Sequence, residues 1–287
     1  MLTPEQIENL PPDTRKEYMQ TALLLNQKKK DQSVRDDFMS FVKYIWPEFI
    51  EGEHHKIMAD KFNKVASGEI KRLIINMAPR HTKSEFASNL LPAWMIGNNP
   101  KLKIIQATHN AELAVRFGRK AKTVIDSEDY QNIFNTRLRE DSKAAGKWET
   151  DQGGEYYAAG VGGSITGRGA DLMIIDDPHS EQDAMKQASF DRAWEWYTSG
   201  PRQRLQPGGR IILVMTRWNV ADLTGKLIKA QKELKADQWE VIEFPAIMPS
   251  GKPVWPGYWK LEELESVKAS VAIGKWNAQY QQNPTAE

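Results

Sequence analysis

The sequence predicts an α/β fold with a mainly parallel central sheet flanked by helices. Short, nearly all-apolar segments such as RLIINM (72–77) and DLMIID (171–176) alternate with helical patterns, which is typical of parallel strands covered on both faces. Clusters of polar residues follow these strands, at 79–84, 108–109, 176–179 and 216–219. Because parallel sheets bind ligands at the carboxyl ends of their strands, we expect these clusters to form one site.

Length and composition fit one large domain with a small appendage. The chain has 287 residues, of which 40% are hydrophobic and 27% are charged, and it contains no cysteine, which excludes disulfides and thiolate metal sites. The net charge is only +1, so any nucleic-acid binding must use a local basic patch. No apolar run is long enough to span a bilayer, and we expect no membrane partner.

The first part of the chain is predicted to be helical. Residues 1–37 are polar and broken at Pro11-Pro12, which indicates an N-terminal helical arm. Two further helices follow, divided near Trp46-Pro47, and the second should end at Gly68, a residue typical of helix C-caps. The apolar face expected for that helix consists of Ile57, Phe62 and Val65.

From residue 72 onward, strands alternate with helices. We predict strands at 72–77, 101–109, 171–177, 209–218 and 239–248, and helices at 83–99, 110–127, 181–200 and 220–234. Pro92 should interrupt its helix, Asn110 should cap the next one, and Gly153-Gly154 should form the turn of an antiparallel hairpin. Residues 38–248 would then form the core domain, and residues 249–287 a small lid or linker subdomain.

The segment MAPRHTKSEF (77–86) contains Lys83-Ser84, the pair that ends a phosphate-binding loop. The pattern G-x-x-x-x-G-K-[ST] would place glycine at Met77 and Thr82, so a strict pattern search rejects the segment. The chemistry requires backbone N–H groups at a helix start, an ammonium group and a hydroxyl, and the context with Lys83 and Ser84 supplies all three. Taken alone, the segment fits a nucleotide loop and an ordinary strand-to-helix loop equally well.

Paired acids end the third predicted strand. Four apolar residues lead into Asp176 and Asp177. A carboxylate at a strand end can hold Mg²⁺, directly or through water, and we assign this role to Asp176. A second carboxylate can orient and polarise the attacking water, and we assign this role to Asp177. The alternative is an acidic pair that caps the turn before Pro178.

A fourth strand, GRIILVMTRW, ends in Thr216-Arg217-Trp218. This would place the hydroxyl of Thr216 beside the acids, where it could sense a γ-phosphate, although Thr216 could instead cap the following helix. A lysine–serine pair after one strand, followed later by a buried strand ending in paired acids, is the order of a phosphate-loop ATPase. We therefore expect a phosphate-loop NTPase fold with ATP and Mg²⁺ as its cofactors.

Four segments together resemble the large terminase subunit of tailed bacteriophages. These are GEIKRLIINMAPRHTKSEF (68–86), GRGADLMIIDDPHS (167–180), ILVMTRWNVADLTGKL (212–227) and WNAQYQQNP (276–284). The resemblance implies the ASCE-type ATPase domain of the motor that drives double-stranded DNA through a portal into a capsid. Thr82 departs from the glycine that is more usual in the family, and Asp177 departs from the usual glutamate.

The resemblance also implies partners and a location. They are double-stranded DNA, the portal protein, the small terminase subunit and further copies of the chain in a ring, a pentamer, on the procapsid. The location is the host cell cytoplasm, with a transient stay at the portal vertex. The family's nuclease domain would follow residues 249–287, so we expect no nuclease activity in this chain.

Site residues follow from the motif and the resemblance together. Arg80 is the arginine that acts within its own site, and Arg168, in a glycine-rich stretch, is the finger that would complete a neighbour's site. Trp46 and His55 would contact the adenine. The residues expected to hold the nucleotide phosphates are Pro79, Arg80, His81, Thr82, Lys83, Ser84 and Glu85.

Competing readings remain open on the sequence alone. A helicase-like DNA translocase unrelated to packaging fits the same motifs, and a non-catalytic module with a decayed loop fits the missing glycines. Histidine metal sites are disfavoured because adjacent histidines on a helix do not face one ligand and no known ligand spacing is present. Three basic patches are candidates for DNA contact: Arg116, Arg119 and Lys120; Arg137, Arg139, Lys143 and Lys147; and Arg202, Arg204 and Arg210.

Overall fold

The computed structural model describes residues 2–233 and 235–285, and it confirms the predicted fold class. The strands in these residues are β1 (Arg72–Met77), β2 (Lys103–Thr108), β3 (Leu138–Ala144), β4 (Lys147–Thr150), β5 (Glu155–Gly160), β6 (Ala170–Asp176), β7 (Leu205–Met215) and β8 (Glu240–Phe244). They form one sheet in the order β3-β4-β5-β2-β6-β7-β1-β8. Among these strands, only the pairs β3–β4 and β4–β5 are antiparallel, which confirms the predicted hairpin.

Helices cover both faces of the sheet. In the described residues they are α1 (Pro4–Glu8), α2 (Pro12–Asp36), α3 (Phe38–Ile45), α4 (Glu53–Ser67), α5 (Leu91–Asn98), α6 (Ala111–Ile125), α7 (Glu128–Ile133), α8 (Gln187–Ser199), α9 (Leu223–Ala230), α10 (Leu261–Ser270) and α11 (Ile273–Lys275). Leu73 and Ile75 of β1 face a core shared with α3 to α7, whereas Ile74 faces a second core shared with α8 and α9. This alternation buries both faces of the sheet and explains why β1 and β6 are almost wholly apolar.

The helix after β1 changes its hydrogen-bonding pattern at Pro92, as predicted. Residues Glu85–Leu90 form a π-helical turn, and Leu91 N–H donates to the carbonyl of Phe86, five residues earlier. Pro92 has no N–H and cannot continue an α-helical ladder, so the wider turn joins the loop to α5. The predicted caps are also confirmed, with Gly68 at φ 83° and the Asn110 side chain accepting from Leu113 N–H at 2.7 Å.

Several details differ from the sequence prediction. Strand β3 was not predicted because its residues are polar, and it is held by pairing with β4 at one end of the sheet. On α4, Ile57 is exposed while His54 and His55 are buried, so the apolar face of that helix was partly wrong. The helix predicted over 220–234 is shorter and ends at Ala230.

The segment after β8 packs over the carboxyl edge of the sheet. Trp255 Nε1–H donates to the carbonyl of Ile50 at 3.0 Å, and Ala246 N–H donates to the carbonyl of Tyr280 at 2.7 Å. Trp276 packs in a small core with Ala78, the residue that follows β1. The C-terminal segment therefore lies directly against the predicted phosphate loop. No helix in residues 2–233 and 235–285 is long and apolar enough to cross a bilayer.

Candidate functional site

The loop between β1 and the next helix has left-handed backbone without glycine. Arg80 has a φ of 61° and Thr82 a φ of 69°. Thr82 is the position at which the pattern requires glycine, so the chain adopts the conformation that glycine favours while carrying a β-branched residue. Such a residue costs on the order of 1–3 kcal/mol and persists where its surroundings determine the backbone. The helix begins here, because Phe86 N–H donates to the carbonyl of Thr82 at 3.1 Å.

Lys83 and the second acid form a buried ion pair. Lys83 is 7% exposed, and its Nζ lies 2.7 Å from Oδ2 of Asp177. Burial favours the neutral amine, but the carboxylates of Asp177 and Asp176 outweigh it and raise the pKa of Lys83. The ammonium group is therefore charged and is held at the end of β6.

The first acid is fully buried between two serines. Asp176 accepts hydrogen bonds from Ser84 Oγ at 3.0 Å and from Ser88 Oγ at 2.5 Å, and Gln106 Nε2 donates to Ser88 Oγ at 3.0 Å. Burial, followed by repulsion from Asp177, raises the pKa of Asp176 to about 7, against the opposing effect of Lys83. A cation placed at this carboxylate would remove that cost.

The oxygens of Ser84 and Asp176 fit a magnesium ion. Adjacent ligands of an octahedral Mg²⁺ at 2.0–2.1 Å lie about 2.9 Å apart, and the two side-chain oxygens are 3.0 Å apart. A protein normally supplies one or two ligands to Mg²⁺, and phosphates and water supply the others. This agrees with the finding that no group of three or more His, Cys, Asp or Glu side chains among the described residues could hold a metal.

Asp177 connects three elements of the site. Its φ is 42°, so the chain turns sharply at the end of β6. Its Oδ1 accepts from Thr216 N–H at 2.8 Å while its Oδ2 pairs with Lys83, and its backbone carbonyl accepts from His109 N–H at 3.1 Å. Because β7 lies between β1 and β6, Thr216 stands between the loop and the acids.

Thr216 lies where the sequence placed it, but its hydroxyl is engaged. Thr216 Oγ donates to the carbonyl of Met77 at 3.1 Å, and the residue is buried. In this conformation the hydroxyl is hydrogen-bonded to the last residue of β1. Thr216 therefore contacts the rest of the site through its backbone N–H, on Asp177.

An aromatic cavity of about 270 Å³ adjoins the loop. Trp46, the residue expected to stack on the base, lines it together with the loop residues Arg80 and Glu85. Two further walls, Trp255 and Tyr258, come from the C-terminal segment and have ring centroids 4.4 Å apart. The sequence prediction missed them, although the aromatic cluster VWPGYW was a signal.

His55 does not face this cavity, so its predicted contact with the base is corrected. The residue is fully buried beneath Thr82, its Nδ1 accepts from Gly52 N–H at 2.9 Å, and its Nε2 contacts Thr82 Oγ1. His55 is the third residue of α4, where a side chain reaches back to the residue before the helix. Both ring nitrogens are thereby occupied within the protein.

The remaining loop residues divide into exposed and buried side chains. Arg80 is exposed beside the cavity, and its carbonyl accepts from Trp259 Nε1–H at 3.4 Å. The His81 ring is buried against Trp259, and its Nδ1 lies 2.8 Å from the carbonyl of Pro79. Only the backbone of His81 could therefore meet a phosphate.

Known proteins share this fold and part of this sequence. The chain is 23% identical over 165 residues to the large terminase subunit of Enterobacteria phage T3, a match that covers 56% of this chain and 28% of that protein. The chain is therefore similar in sequence to part of a phage large terminase subunit. No protein-family model matches it.

Two solved structures extend the comparison. The large terminase of bacteriophage HK97 aligns with a TM-score of 0.54 and 14% identity, over 82% of this chain and 51% of that one, and it shows the same fold. The large terminase of a thermophilic bacteriophage, in complex with ADP, aligns with a TM-score of 0.48 and 12% identity, over 78% and 52% of the two chains. The chain thus spans about half the length of these terminases or less.

Arg168 and the phosphate loop lie at opposite ends of the parallel strands. Arg168 is at the amino end, whereas the loop is at the carboxyl end. Arg168 precedes β6, and its guanidinium lies 3.6 Å from Glu155 at the start of β5 and 3.9 Å from the Tyr157 ring centroid. The length of β6, about 20 Å at 3.3 Å per residue, separates it from Asp176. Arg168 therefore does not reach its own site and could act only on the site of another chain.

The three basic patches differ in their surroundings. Arg202 is paired with Asp237 at 2.5 Å, and Arg139 with Glu149 at 2.9 Å. Arg137 donates to the backbone carbonyls of Gln131, Phe134 and Thr136. The patch on α6 is exposed along that helix and consists of Arg116, Arg119 and Lys120. The side chain of Lys143 lies outside the described part of the structure.

Proposed function

We propose that this chain is the Mg²⁺-dependent ATPase motor domain of a phage terminase, which hydrolyses ATP to move double-stranded DNA into a procapsid. The observation that carries the proposal is the meeting of Lys83, Ser84, Asp176 and Asp177 at one sheet edge. Bonds of 2.7 and 3.0 Å link the lysine and serine of the loop to the two acids of β6. Many phosphate-loop ATPases have such a site, and the similarity to a large terminase subunit favours DNA packaging as its function.

Phosphate binding is assigned to the loop. Lys83 and Arg80 would hold the β- and γ-phosphates, and the backbone N–H groups of residues 80–84 would wrap them. Ser84 and Asp176 would hold Mg²⁺, which neutralises charge on the phosphates when it is bound. The base would stack in the aromatic cavity between Trp46 and the walls formed by Trp255 and Tyr258.

Asp177 is the proposed base, and its ion pair with Lys83 would control when its Oδ2 is free to act. In the structure, Lys83 Nζ lies 2.7 Å from Oδ2 of Asp177. Phosphates would draw the ammonium group away, because they carry more negative charge than one carboxylate. Oδ2 would then be free to orient the attacking water, while Thr216 N–H continues to hold Oδ1. Catalysis would consist mainly of positioning and charge stabilisation.

The same contacts offer a path to the C-terminal segment. Thr216 is followed by Arg217, whose N–H donates to Oε1 of Gln282 at 3.1 Å. The Arg217 guanidinium is buried against Asp222, with Nε 2.9 Å from Oδ2. Movement at Asp177 would therefore reach the C-terminal segment through β7. This is the coupling expected of a motor that converts phosphate loss into movement.

Assembly would complete the site. Arg168 would enter the site of a neighbouring copy in a ring on the procapsid, where an arginine stabilises charge in the transition state. The portal protein and the small terminase subunit would be the other partners, in the host cytoplasm and at the portal vertex. An isolated copy should then hydrolyse ATP slowly.

ATP hydrolysis by the purified chain tests the proposal. We expect Mg²⁺-dependent release of phosphate, and a loss of at least about a hundredfold in Lys83→Ala, because an interaction with the transferred phosphate is removed. Phe62→Leu, a core change on α4, serves as a control for folding. Undiminished hydrolysis by Lys83→Ala, or equal rates with Mg²⁺ and with EDTA, would contradict the assigned site.

A further inference from the structure

The strained residue of the loop is contacted by a side chain from a distant part of the sequence. Thr82 has a φ of 69°, a conformation that a β-branched residue rarely adopts unaided. Its Oγ1 contacts Nε2 of His55, which lies 27 positions earlier in the chain. Both residues are buried. The loop is therefore tied to the start of α4 at the one position where a standard phosphate loop has glycine before its lysine.

The hydrogen atoms of this contact can be assigned from its neighbours. Gly52 N–H donates to Nδ1 of His55 at 2.9 Å, so Nδ1 is the acceptor nitrogen. In a neutral imidazole the other nitrogen then carries the proton, so Nε2–H donates to Thr82 Oγ1. The hydroxyl in turn donates to the carbonyl of His81. Burial, with smaller contributions from His54 and His81, lowers the pKa of His55 to about 2, which keeps the ring neutral.

Aromatic neighbours hold the His55 ring in this orientation. Its centroid lies 4.7 Å from Phe49, 5.0 Å from Phe86 and 4.8 Å from Trp255. The ring is fully enclosed, so rotation away from Thr82 would require its neighbours to move. Phe86 belongs to the helix that follows the loop, and Trp255 to the C-terminal segment. A rigid donor therefore meets the Thr82 hydroxyl from a fixed direction.

We propose that His55 is a positioning residue that holds Thr82 in the left-handed conformation of a phosphate-loop glycine. The threonine hydroxyl makes both contacts: it accepts a hydrogen bond from His55, and it fixes the preceding peptide by donating a hydrogen bond to the carbonyl of His81. The loop thereby keeps the backbone shape that phosphate wrapping requires, although its sequence lacks glycine. This role rests on the proposed nucleotide site.

A double-mutant cycle tests the coupling. His55→Phe keeps an aromatic ring among aromatic neighbours and removes the donor, whereas Thr82→Gly removes the need for a donor. We expect His55→Phe alone to weaken binding of a fluorescent ATP analogue with Mg²⁺ by about tenfold or more. In the Thr82→Gly background the same change should alter binding by less than about threefold. His55→Gln, whose amide can donate near the Nε2 position, should recover most of the affinity.

Two outcomes would overturn the proposal: an equal loss from His55→Phe in both backgrounds, which would show that the ring only packs, or no loss in either. Phe62→Leu, a matched core change on α4, should be additive with Thr82→Gly.

Urea unfolding of the nucleotide-free variants separates this proposal from the proposed function. If the wild-type chain bound no Mg-ATP, the proposed function would fail. Non-additive stabilities of His55→Phe and Thr82→Gly would then still support the positioning role, and additive ones would refute it.

Discussion

At the scale of single residues, the buried carboxyl of Asp176 suits the proposed binding of Mg²⁺ but lowers the stability of the fold when it is ionised. The carboxyl is fully buried and its pKa is raised to about 7, first by burial and then by Asp177. A carboxyl whose pKa is higher in the folded than in the unfolded state favours folding when it is protonated. The contribution of the protonated Asp176 carboxyl to the free energy of unfolding is therefore fully present below the ordinary aspartate pKa near 3.9. It is lost as the pH rises through about 7.

Asp176→Asn should abolish ATP hydrolysis and increase the stability of the fold. We expect the metal-free variant to gain about 1–2 kcal/mol in the free energy of unfolding at pH 8, because no buried charge needs to form. The gain should shrink at pH 5, where the wild-type carboxyl is mostly protonated. ATP hydrolysis should be lost, since a ligand of Mg²⁺ is removed.

Urea unfolding in EDTA at the two pH values measures the change in stability. Asp13→Asn, which makes the same substitution at an exposed position of α2, is the matched control and should change stability by less than about 0.5 kcal/mol. A variant of Asp176 that is less stable than wild type at pH 8 would show that hydrogen bonding from Ser84 and Ser88 outweighs the cost of burial.

At the scale of elements, strands and loop chemistry could be read from the sequence, whereas contacts between distant segments could not. The apolar runs defined β1 and β6 because strands buried on both faces have few polar residues. Asp176 is the last residue of β6, and Lys83 lies in the loop-to-helix segment that follows β1, so the fold class alone placed them together. His55 was misassigned because its base contact was carried over from the family resemblance, and the sequence does not show that Phe49 and Trp255 enclose the ring.

The C-terminal segment shows the same limit. Trp255 reaches the site through a hydrogen bond to Ile50, a contact between residues 205 positions apart that no local pattern encodes. Ser88 is a milder case, because its spacing of four from Ser84 places both hydroxyls on one helix face and could have been read.

Tyr258→Ala tests the cavity formed by that segment. Tyr258 is 54% exposed and stacks on Trp255, so its ring offers a face for a nucleotide base. Removing it should raise KM for ATP by about tenfold, as expected for one base-stacking contact, and leave kcat within about twofold. Steady-state kinetics measure both values. Tyr18→Ala on the N-terminal arm is the control, and a fall in kcat at constant KM would contradict the role in base binding.

At the scale of the whole molecule, the sheet separates the two proposed functional groups, which lie at opposite ends of its parallel strands. Lys83 and the acids lie at the carboxyl edge, whereas Arg168 lies at the amino edge beside Glu155. A ring in which one copy's amino edge faces the next copy's carboxyl edge would bring them together. The glycine-rich stretch drew attention to Arg168, which is half-buried against Glu155 and Tyr157, but only the strand directions show at which end of the strands it lies.

Reversal of charge on α6 tests the DNA surface. The change of Arg116, Arg119 and Lys120 to Glu should weaken binding to a DNA duplex by about tenfold or more. It should also lower the salt dependence, by about 0.9 in log–log slope for each DNA phosphate that the protein no longer neutralises. Titration of a labelled duplex at several salt concentrations provides both values. ATP affinity should not change.

A matched control exists on the N-terminal arm. Lys28, Lys29 and Lys30 are also three exposed cations on one helix, so reversing them changes the net charge equally. Equal losses of DNA binding in both triple variants would show a response to net charge alone and would refute a specific DNA contact by the α6 patch.

A crystal structure with ATP-γ-S and Mg²⁺ tests the central claim most directly. The distance to measure joins Lys83 Nζ and Asp177 Oδ2, which are 2.7 Å apart in the structure described above. The account predicts that this pair opens beyond about 4 Å, with Nζ at about 3 Å from the β- and γ-phosphates and the Thr82 N–H donating to them. An intact pair, with the phosphates bound away from residues 79–84, would contradict it.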